Sequence, residues 1–371
     1  MKKAVLLILV LWSQLSFSQF SKDISGQQII SGQYGYDEEH FGQVALQLKA
    51  DFNAEYRVDS SRFVDLEFSG IVSGNMFIPY NFGPANIDIF TYRLWARYAA
   101  PQWQVTAGLQ KIDFGSSSIL RPLQWFNEID PRDPIGLTRG VYGVVGRYVF
   151  LNNANIWLWG LYGNERRRGL DAEASTGGVE FGGRLQLPVP KGEVALTYHH
   201  RDTDLRTLGL PFESVPEHKF GIDGKWDLGI GLWSELVFSM KQESVGLLTY
   251  QKYCNIGVDY TFGVGNGLNM MLENLLIALD PDPLGFQETV NLTALTAAYS
   301  LGFYDAIQLI AYYSWANNSP IVAFQYSHDF LRFSSYIIAF YNPPATSGIV
   351  NNDLAVLSSG PGVRLLLNFN N

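Results

Sequence analysis

Cysteine is almost absent from this chain, whose 371 residues include only Cys254. A single cysteine forms neither an intrachain disulfide nor a multi-cysteine metal site. Basic residues are also scarce: 26 Lys and Arg stand against 35 Asp and Glu, which gives a net charge of −9. Because no basic stripe is available to neutralise phosphates, the sequence offers no support for nucleic-acid binding.

Long hydrophobic runs are missing as well. The mean hydropathy is only +0.01, and a polytopic helical membrane protein needs several apolar runs of about 20 residues. Aromatic residues, in contrast, make up 14% of the chain, and there are 36 glycines. This combination is typical of a sheet protein with aromatic belts and many turns.

The one apolar run lies at the N-terminus and predicts a secretory signal peptide over residues 1–18. Lys2 and Lys3 form the positive region, Ala4 to Leu11 the apolar core, and Ser16 and Ser18 the small residues before a cut at Gln19. The apolar core is too short to span a bilayer. We therefore expect an exported chain, with residues 19–371 forming one domain.

Strict alternation begins soon afterwards, between Gln43 and Arg57. Apolar residues occupy one parity from Val44 to Tyr56, and polar residues occupy the other, apart from Ala45. Such alternation indicates a strand with one apolar and one polar face. Strands of soluble sheets are typically about 5–6 residues long, whereas a tilted strand that crosses a membrane needs about 9–11. The length favours a membrane strand.

Similar segments recur to the end of the chain, separated by connections that alternate between short and mostly longer. Short turns that face longer loops are typical of bacterial outer-membrane barrels. Counting from a first strand at about Gly26–Gly35 predicts roughly 18 antiparallel strands, or 16 if one weak hairpin is miscounted. The sequence thus predicts an all-β protein, a single transmembrane antiparallel barrel.

One interval, from Gln110 to Arg139, shows no alternation and follows the fifth predicted strand, which makes it the third outer loop. It reads QKIDFGSSSILRPLQWFNEIDPRDPIGLTR. Loops of this length are usually functional or disordered. The aromatic pair Trp125 and Phe126 and the rigid run Asp130–Pro134 argue against disorder. We therefore expect an ordered loop.

These features together resemble bacterial outer-membrane porins. The run Gly108–Gly115, followed by Trp125–Asn127 and Asp130–Pro134, is similar to a motif of phosphate-selective-porin-like and related barrels. The resemblance implies a passive channel for small hydrophilic solutes in the outer membrane, surrounded by lipid and lipopolysaccharide. It also implies that the third loop, at Asp113–Thr138, folds inward as a constriction, and that a homotrimer can form.

Two groups of charged and aromatic residues are the candidate site. Basic wall residues that face acidic loop residues across a narrow pore would create a transverse field that selects by charge. The alternative is an ordinary solvated wall and a packed outer loop. Acids interleave with bases almost one for one, so the sequence does not predict anion selectivity. The constriction candidates are Arg121, Trp125, Phe126, Glu128, Asp130, Arg132 and Asp133, and the wall candidates are Lys49, Asp51, Glu55, Arg93, Arg97, Arg139, Arg147 and Arg184.

Catalytic and metal sites are not indicated. The five histidines accompany no family motif that pairs a nucleophile with a base. The adjacent His199 and His200 point to opposite faces of a strand, which is poor geometry for chelation. We expect no enzyme activity, cofactor or metal. The alternative function is a plugged barrel that serves as a scaffold for surface polysaccharide binding or export.

Overall fold

A computed structural model of the protein describes residues 20–36, 41–78, 86–127, 129–168, 172–343 and 359–370. The alternating segments form nineteen antiparallel strand segments in one sheet. The strands are β1 Phe20–Gly35, β2 Phe41–Arg57, β3 Phe63–Ile78, β4 Asn86–Ala99, β5 Trp103–Gln110, β6 Val141–Val149, β7 Asn155–Tyr162, β8 Glu173–Ala174, β9 Val179–Val189, β10 Gly192–Asp204, β11 Val215–Asp227, β12 Gly231–Lys241, β13 Tyr250–Phe262, β14 Leu268–Asp280, β15 Glu288–Ser300, β16 Asp305–Ser314, β17 Ser319–Asp329, β18 Phe333–Asn342 and β19 Gly360–Asn370.

The sheet closes on itself through its terminal strands. β1 pairs with β2 along its length and with β19 from Gln27 to Gly35. The two-residue β8 pairs only with β10, while β7 pairs directly with β9. Removing β8 from the nineteen segments leaves a closed ring of 18 strands. The predicted all-β, 18-stranded antiparallel barrel is therefore confirmed, and the count of 16 is wrong.

Each wall strand has an apolar face and a polar face because successive side chains point to opposite sides. On β2, Val44, Leu46 and Leu48 are exposed on the apolar face. On β12 and β14, Glu235 and Glu273 belong to the polar face, and both are fully buried. The two faces therefore have different surroundings: the apolar face is exposed, and much of the polar face is covered.

The connections alternate in length around the ring. The end that carries the longest connections, here called the loop end, holds the connections from β5 to β6, from β7 to β9 and from β18 to β19; the other end, the turn end, includes residues 100–102 and 190–191. Two single-turn 3-10 helices, Arg206–Leu208 and Gly246–Leu248, lie in loop-end connections. Among the described residues no helix is long and apolar enough to cross a membrane. The longest connection is residues 111–140.

The predicted signal peptide, residues 1–18, lies outside the described residues, and so does the constriction candidate Glu128.

Candidate functional site

Residues 111–140, here called the β5–β6 segment, consist of turns and bends without helix or strand in their described part. Although a loop by secondary structure, the segment is largely buried: Ile112, Leu123 and Trp125 are only 1–3% exposed. The wall partners of residues 116–123 lie on β11 to β14, far from β5. Around the ring, β12 is the sixth strand after β5 and β14 is the eighth.

Glu235 on β12 holds the first part of the segment. Its Oε1 accepts hydrogen bonds from the backbone N–H groups of Ser116 (2.6 Å) and Ser117 (2.7 Å), and its Oε2 accepts one from Leu123 (3.1 Å). A carboxylate can accept several such bonds, which are stronger than bonds between neutral groups. The segment forms neither helix nor strand, so these three backbone N–H groups have no partner in regular secondary structure. The buried carboxylate supplies the missing acceptors.

Glu273 on β14 does the same for the next turn. It accepts backbone N–H bonds from Ser118 (2.7 Å), Ile119 (3.1 Å) and Leu120 (2.5 Å). It also accepts a bond from the indole Nε1 of Trp233 (2.9 Å). Two wall carboxylates, on β12 and β14, thus bind one continuous run of loop backbone.

Asn255 on β13 completes this anchor between the two acids. Its side-chain amide donates to the Ser117 hydroxyl (2.8 Å), to the Leu120 carbonyl oxygen and to Glu273 (3.2 Å). Asn255 is fully buried. We call Glu235, Asn255 and Glu273 the anchor triad.

Gly115 lies directly before the anchored run and has a backbone φ of +107°. A Cβ atom at this position would overlap the Glu235 carboxylate. The close approach of the backbone to the acid therefore requires glycine, both for its φ and for its lack of a side chain.

Gly115→Ala is expected to lower the free energy of unfolding by about 2 kcal/mol or more, because strain at positive φ alone costs about 1–3 kcal/mol and the overlap adds to it. Gly136→Ala is the matched control, since Gly136 lies in the same segment at φ +63° with open space around it. The measurement is denaturant unfolding of both variants in the same lipid. If both variants lose the same free energy of unfolding, overlap with Glu235 adds nothing to the cost of the positive φ.

Aromatic packing fixes the rest of the segment. The Phe114 ring lies 5.9 Å from Trp125, 5.8 Å from Phe126 and 5.6 Å from Trp159 of β7. The same buried cluster continues to the polar-face side chains of β14 to β17: Leu275, Leu292, Ala294, Ile310, Tyr312 and Ile321. The segment therefore joins two separate parts of the wall through a common apolar core.

Charged groups of the segment also pair within it. Arg121 Nη2 lies 2.5 Å from Asp113 Oδ1, and Lys111 Nζ lies 3.0 Å from the other carboxylate oxygen. Burial by itself raises the pKa of Asp113, but the two cations outweigh it and hold the pKa below its usual value. Asp113 therefore stays ionised, and with Lys111 and Arg121 it forms a group of paired charges at the start of the segment.

At the far end of the segment, Arg132 pairs with Asp130 at 2.7 Å and donates to the Asn342 side chain at 2.8 Å. Burial by itself lowers the pKa of Arg132, but the Asp130 charge outweighs it and leaves that pKa raised. Burial raises the pKa of Asp133, a shift that the nearby Arg364 opposes. These groups link the segment to β18 and β19.

The predicted wall residues lie on the polar face of their strands, except Arg139, which lies in the β5–β6 segment two residues before β6. They pair mainly with residues of the wall. Among the described residues, Arg93, Arg97, Arg139 and Arg147 form no ion pair with the loop acids Asp130 and Asp133. The wall pairs are Lys49–Asp51 (2.9 Å), Glu55–Arg57 (2.8 Å), Arg97–Asp65 (2.6 Å), Arg139–Asp88 (3.3 Å) and Arg184–Asp223 (2.6 Å).

Arg93 and Arg147 have other surroundings. Arg93 donates to the carbonyl oxygens of Tyr92 (2.7 Å) and Thr138 (2.9 Å), which ties β4 to the segment. The Arg147 guanidinium lies 4.7 Å from the centre of a Trp157 ring. The Arg184–Asp223 pair also contacts the segment, because Asp223 accepts a bond from the Ser116 hydroxyl at 2.9 Å.

Open space remains beside the segment. A cavity of about 400 Å³ lies between its start and the polar face of β3 to β7, lined by Arg93, Arg97, Lys111, Asp113 and Arg147 among others. A second cavity, of about 760 Å³, lies towards the turn end, where Ser116 and Ser118 meet the ends of β10 to β14. Space therefore exists on more than one side of the β5–β6 segment.

Solved structures with the same architecture are bacterial porins. The chain matches OccK5 (OpdH) of Pseudomonas aeruginosa with a TM-score of 0.56 and 10% identity, over 95% of this chain and 98% of that one. It matches the Salmonella typhi OmpF complex with daunomycin with a TM-score of 0.53 and 7% identity, over 95% and 98%. It matches an anion-selective porin from Comamonas acidovorans with a TM-score of 0.52 and 10% identity, over 95% and 100%.

The fold is that of a porin-type barrel. No protein-family model matches the chain, and no curated protein sequence matches it either. At 7–10% identity the likeness to the three porins shows the fold alone.

Within this porin-type barrel, sequence reasoning missed the role of the anchor triad. Glu235 and Glu273 are recognisable in the sequence only as polar-face residues of their strands. The run Ser116–Ser118 offers a weak signal, because three serines after a glycine leave several backbone donors to satisfy. Nothing in the sequence identifies the acids that satisfy them.

Proposed function

We propose that the chain is a channel of the bacterial outer membrane through which small hydrophilic solutes diffuse passively. The support is a closed 18-strand ring with a porin-type fold. Its exposed apolar face suits lipid, and its polar face suits water. Export through a signal peptide at residues 1–18 belongs to the same proposal.

In this proposal the β5–β6 segment folds into the lumen and forms the constriction. The observation that carries it is the anchor triad, which binds the segment to the polar face of β12 to β14, six to eight strands away from β5. A connection held there spans much of the ring. Arg121, Trp125, Phe126, Asp130, Arg132 and Asp133 are then part of a fixed obstruction, while the candidate Glu128 lies outside the described residues.

Solutes would pass beside the segment, along β3 to β7, where the 400 Å³ cavity lies. Most charges along the wall are paired with an opposite charge at 2.6–3.3 Å. We therefore propose size exclusion with weak charge discrimination. The anion selectivity named for the Comamonas neighbour is not extended to this chain.

Outer-membrane lipid and lipopolysaccharide are the proposed surroundings, with the loop end facing outward. A homotrimer remains a prediction from the porin resemblance. We propose no catalytic role, because the candidate residues serve to bind and position the segment.

A plugged scaffold for surface polysaccharide is the second candidate. The apolar cluster that joins the segment to β7 and to β14–β17 favours it, because a buried core of this kind leaves no room for water where it lies. Current separates the two functions, since an open pore conducts ions and a plugged barrel does not.

Deleting residues 116–132 is expected to raise the single-channel current several-fold in a planar bilayer, because it removes the anchored run and its aromatic rings. Anion and cation reversal potentials of both proteins measure charge discrimination. An unchanged current would contradict the constriction. The absence of current in the intact protein, with current after deletion, would favour the plugged scaffold.

A further inference from the structure

Three neighbouring strands, β5, β6 and β7, are the shortest of the 18-stranded ring. They have eight or nine residues each, whereas β4 before them has 14 and β9 after them has 11. β4 pairs with β3 from Asn86 to Ala99, but it pairs with β5 only from Leu94 to Ala99. Across the described ranges, no strand pairs with residues 86–93 on the β5 side. The wall therefore has a gap at the loop end, beyond the ends of β5, β6 and β7.

A cavity of about 410 Å³ lies in this gap. Leu109 of β5 and Tyr142 of β6 form a cross-strand pair and line the cavity from the apolar face of the wall. Phe126 of the β5–β6 segment lines it from the polar side, and residues 163–168, which follow β7, border it as well. The cavity therefore lies within the wall itself, between its two faces.

Residues 163–168 are held in place near both ends. Asn164 Oδ1 accepts a hydrogen bond from the backbone N–H of Tyr142 (2.7 Å), and Asn164 Nδ2 donates to the carbonyl oxygen of Tyr142 (2.9 Å). Arg168 Nη2 donates to both carboxylate oxygens of Glu180 on β9, at 2.7 and 2.8 Å, and both residues are buried. Arg166 and Arg167, between these two fixed points, line the cavity and are exposed.

Arg139 adds another guanidinium group to the cavity lining. Its guanidinium carbon lies 4.0 Å from the centre of the Phe90 ring, and its Nη2 lies 3.3 Å from an Asp88 carboxylate oxygen. Its Nε is buried and has no hydrogen-bond partner within the described part of the chain. Buried side-chain donors nearly always have an acceptor, and an anionic oxygen bound in the cavity would supply one.

An exposed apolar strip adjoins the cavity on β4. Thr91 lines the cavity, and alternate residues of a strand point to the same side. The next two residues on the Thr91 side are Ile89 and Ile87, which are 72% and 71% exposed. A ligand that contacts both the arginines and this strip is therefore anionic at one end and apolar at the other.

We propose that this cavity binds a phosphorylated lipid of the outer leaflet, lipid A, with a phosphate at Arg139, Arg166 and Arg167 and an acyl chain along Ile87 and Ile89. Guanidinium groups bind phosphate through charge-assisted hydrogen bonds, and the isoleucines suit a hydrocarbon chain. The inference rests on the proposed membrane location, with the loop end outward, but not on solute passage. Cell fractionation tests the location and single-channel current tests the passage, each independently of lipid binding.

The first test measures binding of diphosphorylated lipid A to the purified full chain in detergent, by native mass spectrometry. The double variant Arg166→Gln and Arg167→Gln is expected to bind at least about tenfold more weakly, because it loses two charge-assisted contacts with phosphate. Arg206→Gln is the matched control, since Arg206 lies in another loop-end connection and pairs with Asp204 and Glu213. It is expected to bind as the wild type does. Equal binding by all three proteins would overturn the proposal.

The second test removes the phosphates instead of the arginines. The wild type is expected to bind dephosphorylated lipid A as weakly as the double variant binds the phosphorylated form. Inorganic phosphate at the concentration of lipid A is expected not to displace it, because phosphate makes no contact with the apolar strip. Displacement by inorganic phosphate would show a site for soluble anions, and equal binding of both lipids would show adventitious lipid only; either result would overturn the proposal. Heat-modifiable migration shows whether the variants fold, and if the double variant does not, the comparison of the two lipids decides.

Discussion

Replacing Glu235 and Glu273 together by glutamine is expected to release the β5–β6 segment from the wall and to raise single-channel conductance several-fold, with added noise. Each carboxylate accepts three backbone N–H bonds from the segment. A glutamine amide keeps one acceptor oxygen and turns an NH₂ group toward the remaining donors. The backbone groups would then be buried without partners.

The expected free-energy cost is large at both positions. A hydrogen bond to a charged group contributes about 1.5–3 kcal/mol, and a buried donor without a partner costs about 1–3 kcal/mol. The double variant is therefore expected to lose several kcal/mol of anchoring free energy while the strand ladders remain intact. Trypsin cleavage after Arg132, which is buried in the segment, is expected to become fast.

Glu193→Gln is the matched control for this double variant. Glu193 also carries a wall carboxylate, but it is partly exposed and its nearest ion-pair partner, Lys225, is 3.8 Å away. We expect wild-type current and wild-type trypsin resistance. If the double variant also behaves as wild type, the anchor triad does not hold the segment.

The barrel itself was predictable from the sequence, because alternation reports directly which face each side chain occupies. Gln43 to Arg57 predicts β2 almost to the residue. The first strand was predicted at Gly26–Gly35 but begins at Phe20. Residues 21–23 are all polar and break the alternation, yet backbone pairing with β2 continues to Phe20 opposite Tyr56.

The site was predictable only in part. The missing alternation located the β5–β6 segment, and its aromatic residues indicated order. Its partners were not predictable, because Glu235 and Glu273 are 118 and 155 residues away from the serines they bind. The alternation of apolar and polar residues predicts that a side chain lies on the polar face, but it does not predict which distant loop covers that side chain.

Charge pairing shows the same limit. The sequence left open whether wall arginines face the loop acids or belong to an ordinary solvated wall. In the structure Arg97 pairs with Asp65 on the adjacent strand, and Asp130 pairs with Arg132 two residues away. An ion pair between near neighbours costs less conformational entropy than an ion pair between groups on opposite sides of a lumen. Counting acids and bases along a wall therefore does not give the field inside it.

One signal for the buried core was present in the sequence but ambiguous. The segments Ile156–Tyr162 and Ala306–Tyr313 are apolar on both faces. In the structure, Trp159 of the first and Ile310 of the second join the apolar cluster of the segment. A wall strand without a polar face thus indicates where protein, rather than water, covers the polar side of the barrel.

Trp125→Ala is expected to give the largest stability loss of any single substitution in the segment, about 3–5 kcal/mol, because it removes a large buried side chain and leaves a cavity. Trp125 is 3% exposed. Its ring lies 5.8 Å from the His199 ring and 5.9 Å from Phe114, and Lys219 Nζ lies 5.7 Å from its centre. The measurement is denaturant unfolding in lipid, together with single-channel current, which is expected to rise as the cavity opens.

Trp125→Phe and Phe303→Ala serve as the comparisons. Trp125→Phe keeps an aromatic ring against Phe114. It is therefore expected to lose less than half as much unfolding free energy as Trp125→Ala. Phe303 lies fully exposed in a turn-end connection, and truncation of an exposed side chain there is expected to change the unfolding free energy by no more than about 0.5 kcal/mol. If Trp125→Ala costs no more than Phe303→Ala, the aromatic cluster does not fix the segment, and the hydrogen bonds of the anchor triad hold it alone.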